Sequence, residues 1–393
     1  MKKLYKMQNQ IQKYEWGTTD FIAKLLQVEK NHDRPWAELW MSAHDKAPSF
    51  LPEIDKNLNT AIANNSQEFL GKEVASRYNH KLPYLLKVLS AEKPLSIQAH
   101  PNLEQAKKGF DRENQKGIKL TDFVRNYRDD NHKPELICAL TEFHAMCGFR
   151  PPEEIINLFT QLRIISLLDN FTQFMDNPTP ENWKIVFTEI LNAPVEKKQQ
   201  LLEKSIKNFH LLSDEFIRSW ISKLLVIHPN DIGVISPLFL NTFILHPGEA
   251  IFLQAGVLHA YLAGAGIEIM ANSDNVLRGG LTSKNVDVKE LNSILQWKME
   301  MPDIQTYNLN QEVISYRVPI NEFCLKRVNL TGKIKLNGGA PIMILVIEGE
   351  TEVSCEGESQ KLVQGESLFV TSEARELELS GKALMFLAGT KTN

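Results

Sequence analysis

The chain changes its hydrophobic rhythm twice. Up to about residue 150, short apolar runs are broken by Pro, Gly and Asn. Residues 84–89 (YLLKVL) and 136–140 (LICAL) read as short buried strands, although runs of this length do not by themselves separate strand from helix. The middle third instead repeats at helical spacing. Ile155, Leu158, Phe159 and Leu162 make one stripe, Trp183, Val186, Phe187, Ile190 and Leu191 a second, and Phe216, Ile217, Trp220, Ile221, Leu224 and Leu225 a third. Pro151-Pro152-Glu153-Glu154 opens a helix: proline is tolerated in a first turn, and acids there face the positive end of the helix dipole. Asn177-Pro178-Thr179-Pro180 reads as a loop, and Asn192-Ala193-Pro194 ends one helix and starts the next. The spacing therefore predicts an all-helical insert over about 151–235.

After Pro229 the strand rhythm returns. Runs at 243–246 and 250–253 flank the turn Pro247-Gly248-Glu249, and Gly256 marks another turn. From about Glu312, short β-like runs alternate with turns: 342–347 (IMILVI) before Glu348-Gly349-Glu350, 352–355 before Glu356-Gly357-Glu358, and 368–370 after Gly365-Glu366. This spacing predicts a β-sandwich or jelly roll, with the acids as solvated turn charges. No internal repeat is present at periods of 20–50 residues.

Composition narrows the class. The chain has 393 residues, 43% hydrophobic and 23% charged, with net charge −4. Such a balance excludes collagen-like and wholly disordered chains, and offers no concentrated basic surface for nucleic acid. No apolar run approaches about 18 residues, so no membrane partner is expected. The lysine-rich N-terminus lacks the apolar core of a signal peptide. Cys138, Cys147, Cys324 and Cys355 are dispersed and form no CxxC pair, so they are expected to be reduced thiols in a cytoplasmic protein.

Four segments carry candidate chemistry. In Leu95-Ser96-Ile97-Gln98-Ala99-His100-Pro101, the proline disfavours helix at His100, and an extended chain puts Gln98 and His100 on one face. His100 could be a ligand or a hydrogen-bonded structural histidine. Glu135 opens the apolar run 136–140 and carries a carboxylate into the core. It needs a cation or a salt bridge, for which Lys133 lies two residues away. Gln254–Tyr261 follows the Pro-Gly turn and resembles one hairpin of a cupin barrel; His259 there is either a metal ligand or a hydrogen-bonded structural histidine, while His246 beside the turn faces out. Gln98, His100, Glu135 and His259 together offer two imidazoles, a carboxylate and an amide oxygen. That set suits Zn²⁺ with one position left open, and the absence of cysteine disfavours a closed structural site. The run 266–284 is dense in polar groups, and Arg278 precedes Gly279-Gly280, where the backbone can approach a ligand. It serves either an oxyanion or phosphate, or is an ordinary surface arginine.

These segments resemble those of the type I mannose-6-phosphate isomerase family, zinc enzymes of the cupin superfamily. The resemblance rests on YEWG at 14–17, AELWM at 37–41 with HDKAPS at 44–49, residues 95–101, 132–135 and 256–261, and MANSDNVLRGGLTSK at 270–284. Ser283 stands where proline is common in the family, and Gly279 where alanine is common. The resemblance implies a mainly β fold with an α-helical insert: two cupin (jelly-roll) domains plus a helical domain. The domains would be a catalytic cupin of 1–150 with 236–311, a helical insert of 151–235, and a degenerate cupin of 312–393, which contains no histidine.

The resemblance further implies one Zn²⁺ per chain on Gln98, His100, Glu135 and His259. Arg278 and Lys133 would be catalytic, and Lys87, Ser96, Glu268, Asp274 and Lys284 would line a sugar-phosphate pocket. The implied reaction interconverts mannose 6-phosphate and fructose 6-phosphate through a cis-enediolate, in carbohydrate metabolism and GDP-mannose biosynthesis, by a cytoplasmic monomer. Lys133, Glu268, Asp274 and a zinc-bound water are all candidates for the proton shuttle. The alternative is a non-catalytic zinc cupin that binds a sugar phosphate. An iron dioxygenase is disfavoured by the glutamine.

Overall fold

The computed structural model describes residues 2–29 and 34–391. An eleven-stranded sheet holds the centre, a helical layer covers one side, and a seven-stranded sheet covers another. The central sheet is organised on His259–Ala271. This long strand pairs antiparallel with Tyr84–Ala91 and Glu135–Ala139 over its second half, and with Phe143–Phe149 and Ile97–Ala99 over its first. Glu38–Met41 extends the sheet beyond Tyr84–Ala91, and Leu277–Gly280 pairs with Ile97–Ala99.

All eight residues of Tyr84–Ala91 are buried, which explains the unbroken apolar run around its single charge. Period-two alternation then sorts its faces. Leu86 and Val88 pack outward into a core shared with Phe323, Leu345 and Phe386 of the C-terminal unit, and so do Leu136 and Cys138, and Ile267 and Ile269. Ile97 and Ala99, Leu258 and Ala260, and Leu277 pack outward against the helical insert.

The insert runs through helices Pro152–Gln161, Phe171–Asp176, Pro180–Asn192, Val195–Asn208 and Glu215–Ile227, as the apolar stripes predict. Thr179 accepts from the Asn182 amide and caps the third, and Asp214 caps the last through Ile217. Fully buried Trp183 is ringed by Phe149, Phe159, Phe174, Phe187 and Phe239.

Two expectations change, and one pairing is new. The strand expected at 243–246 is Leu240–Leu245, leaving His246 exposed beyond its end. Glu348-Gly349-Glu350 is not a turn. It lies inside the continuous strand Ile342–Cys355, where the pairing with Glu376–Gly389 shifts register between Val346 and Glu348. The extra residue there is Ile347, absorbed as a bulge; Gly349 beside it pairs with Ala383 at φ +77°, where a Cβ would stand 2.1 Å from the Lys382 carbonyl. Finally, the N-terminal strand Leu4–Met7 pairs with Ser367–Val370 in the C-terminal sheet rather than with the central one. Its Leu4 enters the C-terminal core, where its apolar face finds cover.

The four cysteines are free, as expected. Among the described residues no helix is long and apolar enough to cross a membrane. Because Trp183 fills the centre of the insert core, Trp183→Ala should destabilise the protein by about 3–5 kcal/mol. Urea unfolding followed by circular dichroism measures this; a change below about 1 kcal/mol would mean that the insert core closes without it.

Candidate metal centre and substrate pocket

Each candidate side chain sits between outward-facing apolar neighbours, and alternation turns it inward. Gln98 lies between Ile97 and Ala99, His259 between Leu258 and Ala260, Lys87 between Leu86 and Val88, and Glu268 between Ile267 and Ile269. Register then brings them together. His259 is directly opposite Gln98, Gln98 is opposite Arg278, and Lys87 is opposite both Trp40 and Glu268. His100 follows the end of Ile97–Ala99, where Pro101 and the Asn102 capping box turn the chain into helix Leu103–Gln115.

His100, Glu135 and His259 are buried, and their ligand atoms lie within 4.8 Å of one another. The His100 Nδ1–H donates to the Asn275 carbonyl at 2.6 Å and the His259 Nδ1–H to the Val257 carbonyl at 2.9 Å, since a carbonyl can only accept. Both Nε2 lone pairs are thereby left free and aimed at Glu135, 3.5 Å and 3.4 Å from its two oxygens. Gly256 makes this approach possible. Its amide donates to the His100 carbonyl at 2.7 Å, and at φ +77° a Cβ would stand 2.5 Å from the Ile294 carbonyl.

Three buried atoms here have no hydrogen-bond partner: His100 Nε2, His259 Nε2 and Glu135 Oε2. Orphaned buried polar atoms are rare, and three converging lone-pair donors are what a cation would satisfy. Burial, and then the Lys133 charge, pushes the His100 imidazole down to about 4, so it is neutral and able to coordinate at neutral pH. Burial would raise the Glu135 carboxyl, but Lys133 and His100 outweigh it and hold it well below the usual carboxylate range. Glu135 in fact meets both expectations for it: Oε1 accepts from Lys133 Nζ at 2.7 Å while Oε2 stays free.

Beside this cluster lies a second buried charge set. Lys87 Nζ is 2.7 Å from Glu268 and 3.4 Å from Glu38, and it stands over the Trp40 ring, whose Nε1–H donates to Glu38. Burial opposes the Lys87 charge, yet Glu268 and Glu38 raise its pKa overall. Burial raises Glu268, Lys87 opposes, and Glu135 adds to the rise. Lys87, Lys133, Trp40, His44 and Asp274 share a cavity of about 80 Å³. Burial disfavours ionised Asp274, but Lys46 at 2.5 Å and His44 hold its pKa low.

Arg278 is half-buried and Lys284 is exposed. Burial lowers both pKa values; Arg128 lowers Arg278 further, and Arg278 and Arg128 lower Lys284. Among the described residues none forms an ion pair with these three cations, so they make an uncompensated positive cluster. Arg128 was not a candidate on sequence grounds. It lies in the charged run RDDNHK, and its placement depends on Asn275, 147 positions on. Glu38 and Trp40 also gained no role from the sequence, though both lie in the AELWM stretch. Ser96 is half-buried two residues before Gln98, and no side-chain hydrogen bond ties it to the cluster.

Fold and site together define a cupin with a candidate mononuclear metal centre beside a positively charged pocket. Comparison with known proteins narrows this. Residues 4–152 match the catalytic domain of phosphomannose isomerase type I, and residues 314–388 match the mannose-6-phosphate isomerase cupin domain. The chain is 34% identical over 386 residues to mannose-6-phosphate isomerase of Escherichia coli, covering 96% of this chain and 97% of that one. It is 31% identical to mannose-6-phosphate isomerase 1 of Arabidopsis thaliana, over 99% of this chain and 94% of the relative. Among solved structures, a mannose 6-phosphate isomerase bound with zinc and yttrium superposes with a TM-score of 0.93 at 33% identity, covering 100% of both chains. The chain belongs to the mannose-6-phosphate isomerase family.

Purified protein is expected to carry one zinc per chain by elemental analysis, and His100→Ala or His259→Ala should lose most of it. Chelation should also lower the melting temperature of the wild type, because it re-exposes three unpaired buried lone-pair atoms. A His100→Ala protein with full zinc would remove the ligand assignment.

Proposed function

We propose that the chain interconverts mannose 6-phosphate and fructose 6-phosphate, the activity for which its relatives are named, on a pocket built around the His100–Glu135–His259 cluster. The carrying observation is that three orphaned ligand atoms converge beside buried Lys133 and the Lys87–Glu268 pair. The catalytic unit in this reading is 1–150 with 236–311, with the helical insert 151–235 and the C-terminal unit 312–393 as covers. All the site residues come from one chain, which supports a monomer as the working unit. Intact charged machinery next to the metal cluster disfavours a merely sugar-binding cupin.

Zn²⁺ held by Gln98, His100, Glu135 and His259 would supply Lewis acidity at an open coordination position. The remaining work belongs to side chains. Arg128 and Lys284 provide the counter-charge for a phosphate dianion. Lys87 and Lys133 donate hydrogen bonds to the sugar's O1 and O2, and Asp274 accepts from a sugar hydroxyl. Glu268, whose carboxyl is raised by burial against the opposing Lys87 charge, is assigned as the proton carrier in this reading. It removes the C2 proton as the C1 carbonyl becomes the enediolate oxygen. The O2 hydroxyl proton passes to O1, and Glu268 returns its proton to C1 as the carbonyl forms at C2. Arg278, opposite Gln98, stabilises the negative charge that grows in between.

Two variants separate these roles in a coupled assay for fructose 6-phosphate with zinc content measured in parallel. Arg278→Ala should lower kcat by about 10²–10³ with zinc retained, as for a lost oxyanion donor. An unchanged kcat at full zinc would move that role to Lys133. Arg128→Ala, which removes ground-state phosphate attraction, should raise KM and leave kcat nearly unchanged.

Glu268→Gln should stop exchange of the substrate's C2 hydrogen with solvent deuterium, followed by NMR. Exchange at the wild-type rate would rule out Glu268 as proton carrier.

A further inference from the structure

We propose that Asn275 is the positioning residue of the metal centre, holding His100 in its ligating tautomer and fixing the loop that leads to Lys133 and Glu135. The inference rests on the metal-site reading above and adds a role for a residue that touches neither metal nor sugar.

The observation is an asymmetry between the two histidines. The carbonyl that orients His259 belongs to Val257, two residues away in the same turn, and comes with the local backbone. The carbonyl that orients His100 belongs to Asn275, 175 positions away. Something must hold that carbonyl at 2.6 Å. The Asn275 side chain, fully buried, does so by acting as a piece of backbone. Its Oδ1 accepts from the amides of Arg128 at 2.6 Å and Asp129 at 3.2 Å. Its Nδ2 donates to the carbonyls of Asp129 and Asn131, both at 2.8 Å, and to Asp129 Oδ1 at 3.2 Å. The amide's hydrogen-bonding capacity is thus filled by one segment, 128–131.

That segment is stitched to the 272–275 loop from the other side as well. Asp129 accepts from Ser273 Oγ at 2.7 Å and from the Asp274 amide at 2.6 Å, and Asn131 Nδ2 donates to the Asn272 carbonyl. Two residues past Asn131 stands Lys133, and two further Glu135. One buried asparagine therefore sets a ligand directly, through its main-chain carbonyl, and two more site residues through the loop its side chain closes. Arg128 is placed by the same bond. An interaction that fixes a ligand's other ring nitrogen typically contributes about 10–100-fold in metal affinity.

Asn275→Asp is the sharpest probe. It keeps size and Oδ1, but turns Nδ2 into an oxygen facing two carbonyls and the Asp129 carboxylate. Asn275→Ala deletes the amide altogether. In both, zinc affinity measured by chelator competition should fall about 10–100-fold. The visible spectrum of the Co²⁺-substituted protein should shift as His100 turns. A residue that serves packing alone would lower the melting temperature and leave both of these unchanged in the folded protein. Folded Asn275→Ala with wild-type zinc affinity and an unaltered Co²⁺ spectrum would overturn the proposal.

If the Asn275 variants do not fold, Ser273→Ala decides. It removes the hydroxyl that bridges Asp129 and the Asn275 amide but leaves the Asn275 side chain in place. A several-fold loss of zinc affinity supports the assignment, and none overturns it. Wild-type protein that binds no zinc would instead sink the metal-site reading itself, so the two failures are distinguishable.

Discussion

A carboxylate carried into an apolar barrel must find positive charge, and most of this structure follows from how Glu135 finds it. An unpaired buried carboxylate would take up a proton, because burial penalises its charged form. Lys133 at 2.7 Å satisfies one oxygen and keeps the group ionised, which leaves the other oxygen for the space between the two imidazoles. The same rule governs the neighbouring set. Lys87 is tolerated in the middle of a fully buried strand because Glu268 and Glu38 meet its ammonium. Removing either lysine would strand a buried carboxylate, so the pocket's electrostatics depend on both.

The barrel can hold this many charges only because its outer surface is buried too. Leu86, Val88, Leu136, Ile267 and Ile269 pack against the C-terminal unit; Ile97, Ala99, Leu258, Ala260 and Leu277 pack against the helical insert. These apolar pairs fix which way the residue between them points. A one-residue slip in any of the strands would turn the site inside out, and the covers make such a slip costly. The C-terminal sheet therefore has a physical task although it carries no histidine. Tyr84 Oη donating to the Ala388 carbonyl, and Tyr316 bridging Cys138 and Gly248, tie it to the site-bearing strands.

Much of this was legible in the sequence, for reasons that concern particular residues. The run 84–89 read as a buried strand, and the pocket role of its one charge, Lys87, came from the family resemblance. His100 before Pro101 and Glu135 ahead of LICAL are short-range signals of extended chain, and the helical stripes marked the insert. What was not legible depends on partners far along the chain. Leu4–Met7 crosses to the C-terminal sheet because of what Ser367–Val370 offers it, and nothing local says so. Glu348-Gly349-Glu350 has the composition of a turn, yet all three residues pair with Glu376–Gly389, so the strand runs on past a bulge at Ile347. Arg128 sits among charged neighbours that look like a solvated loop until a buried amide 147 residues later pins its backbone.

Charge balance links the metal to the substrate. The two buried lysines, Lys87 and Lys133, face three buried carboxylates, Glu38, Glu135 and Glu268, which leaves the set one negative charge in excess. A divalent cation among the ligands reverses that sign. The rim adds Arg128, Arg278 and Lys284 with no counter-ion among the described residues, while Asp274 on the other side is already matched by Lys46. Without metal, the pocket presents a negative floor beneath a positive rim. A divalent cation held there would make floor and rim both positive, and in the reading proposed above that field would attract a dianionic sugar phosphate from both ends.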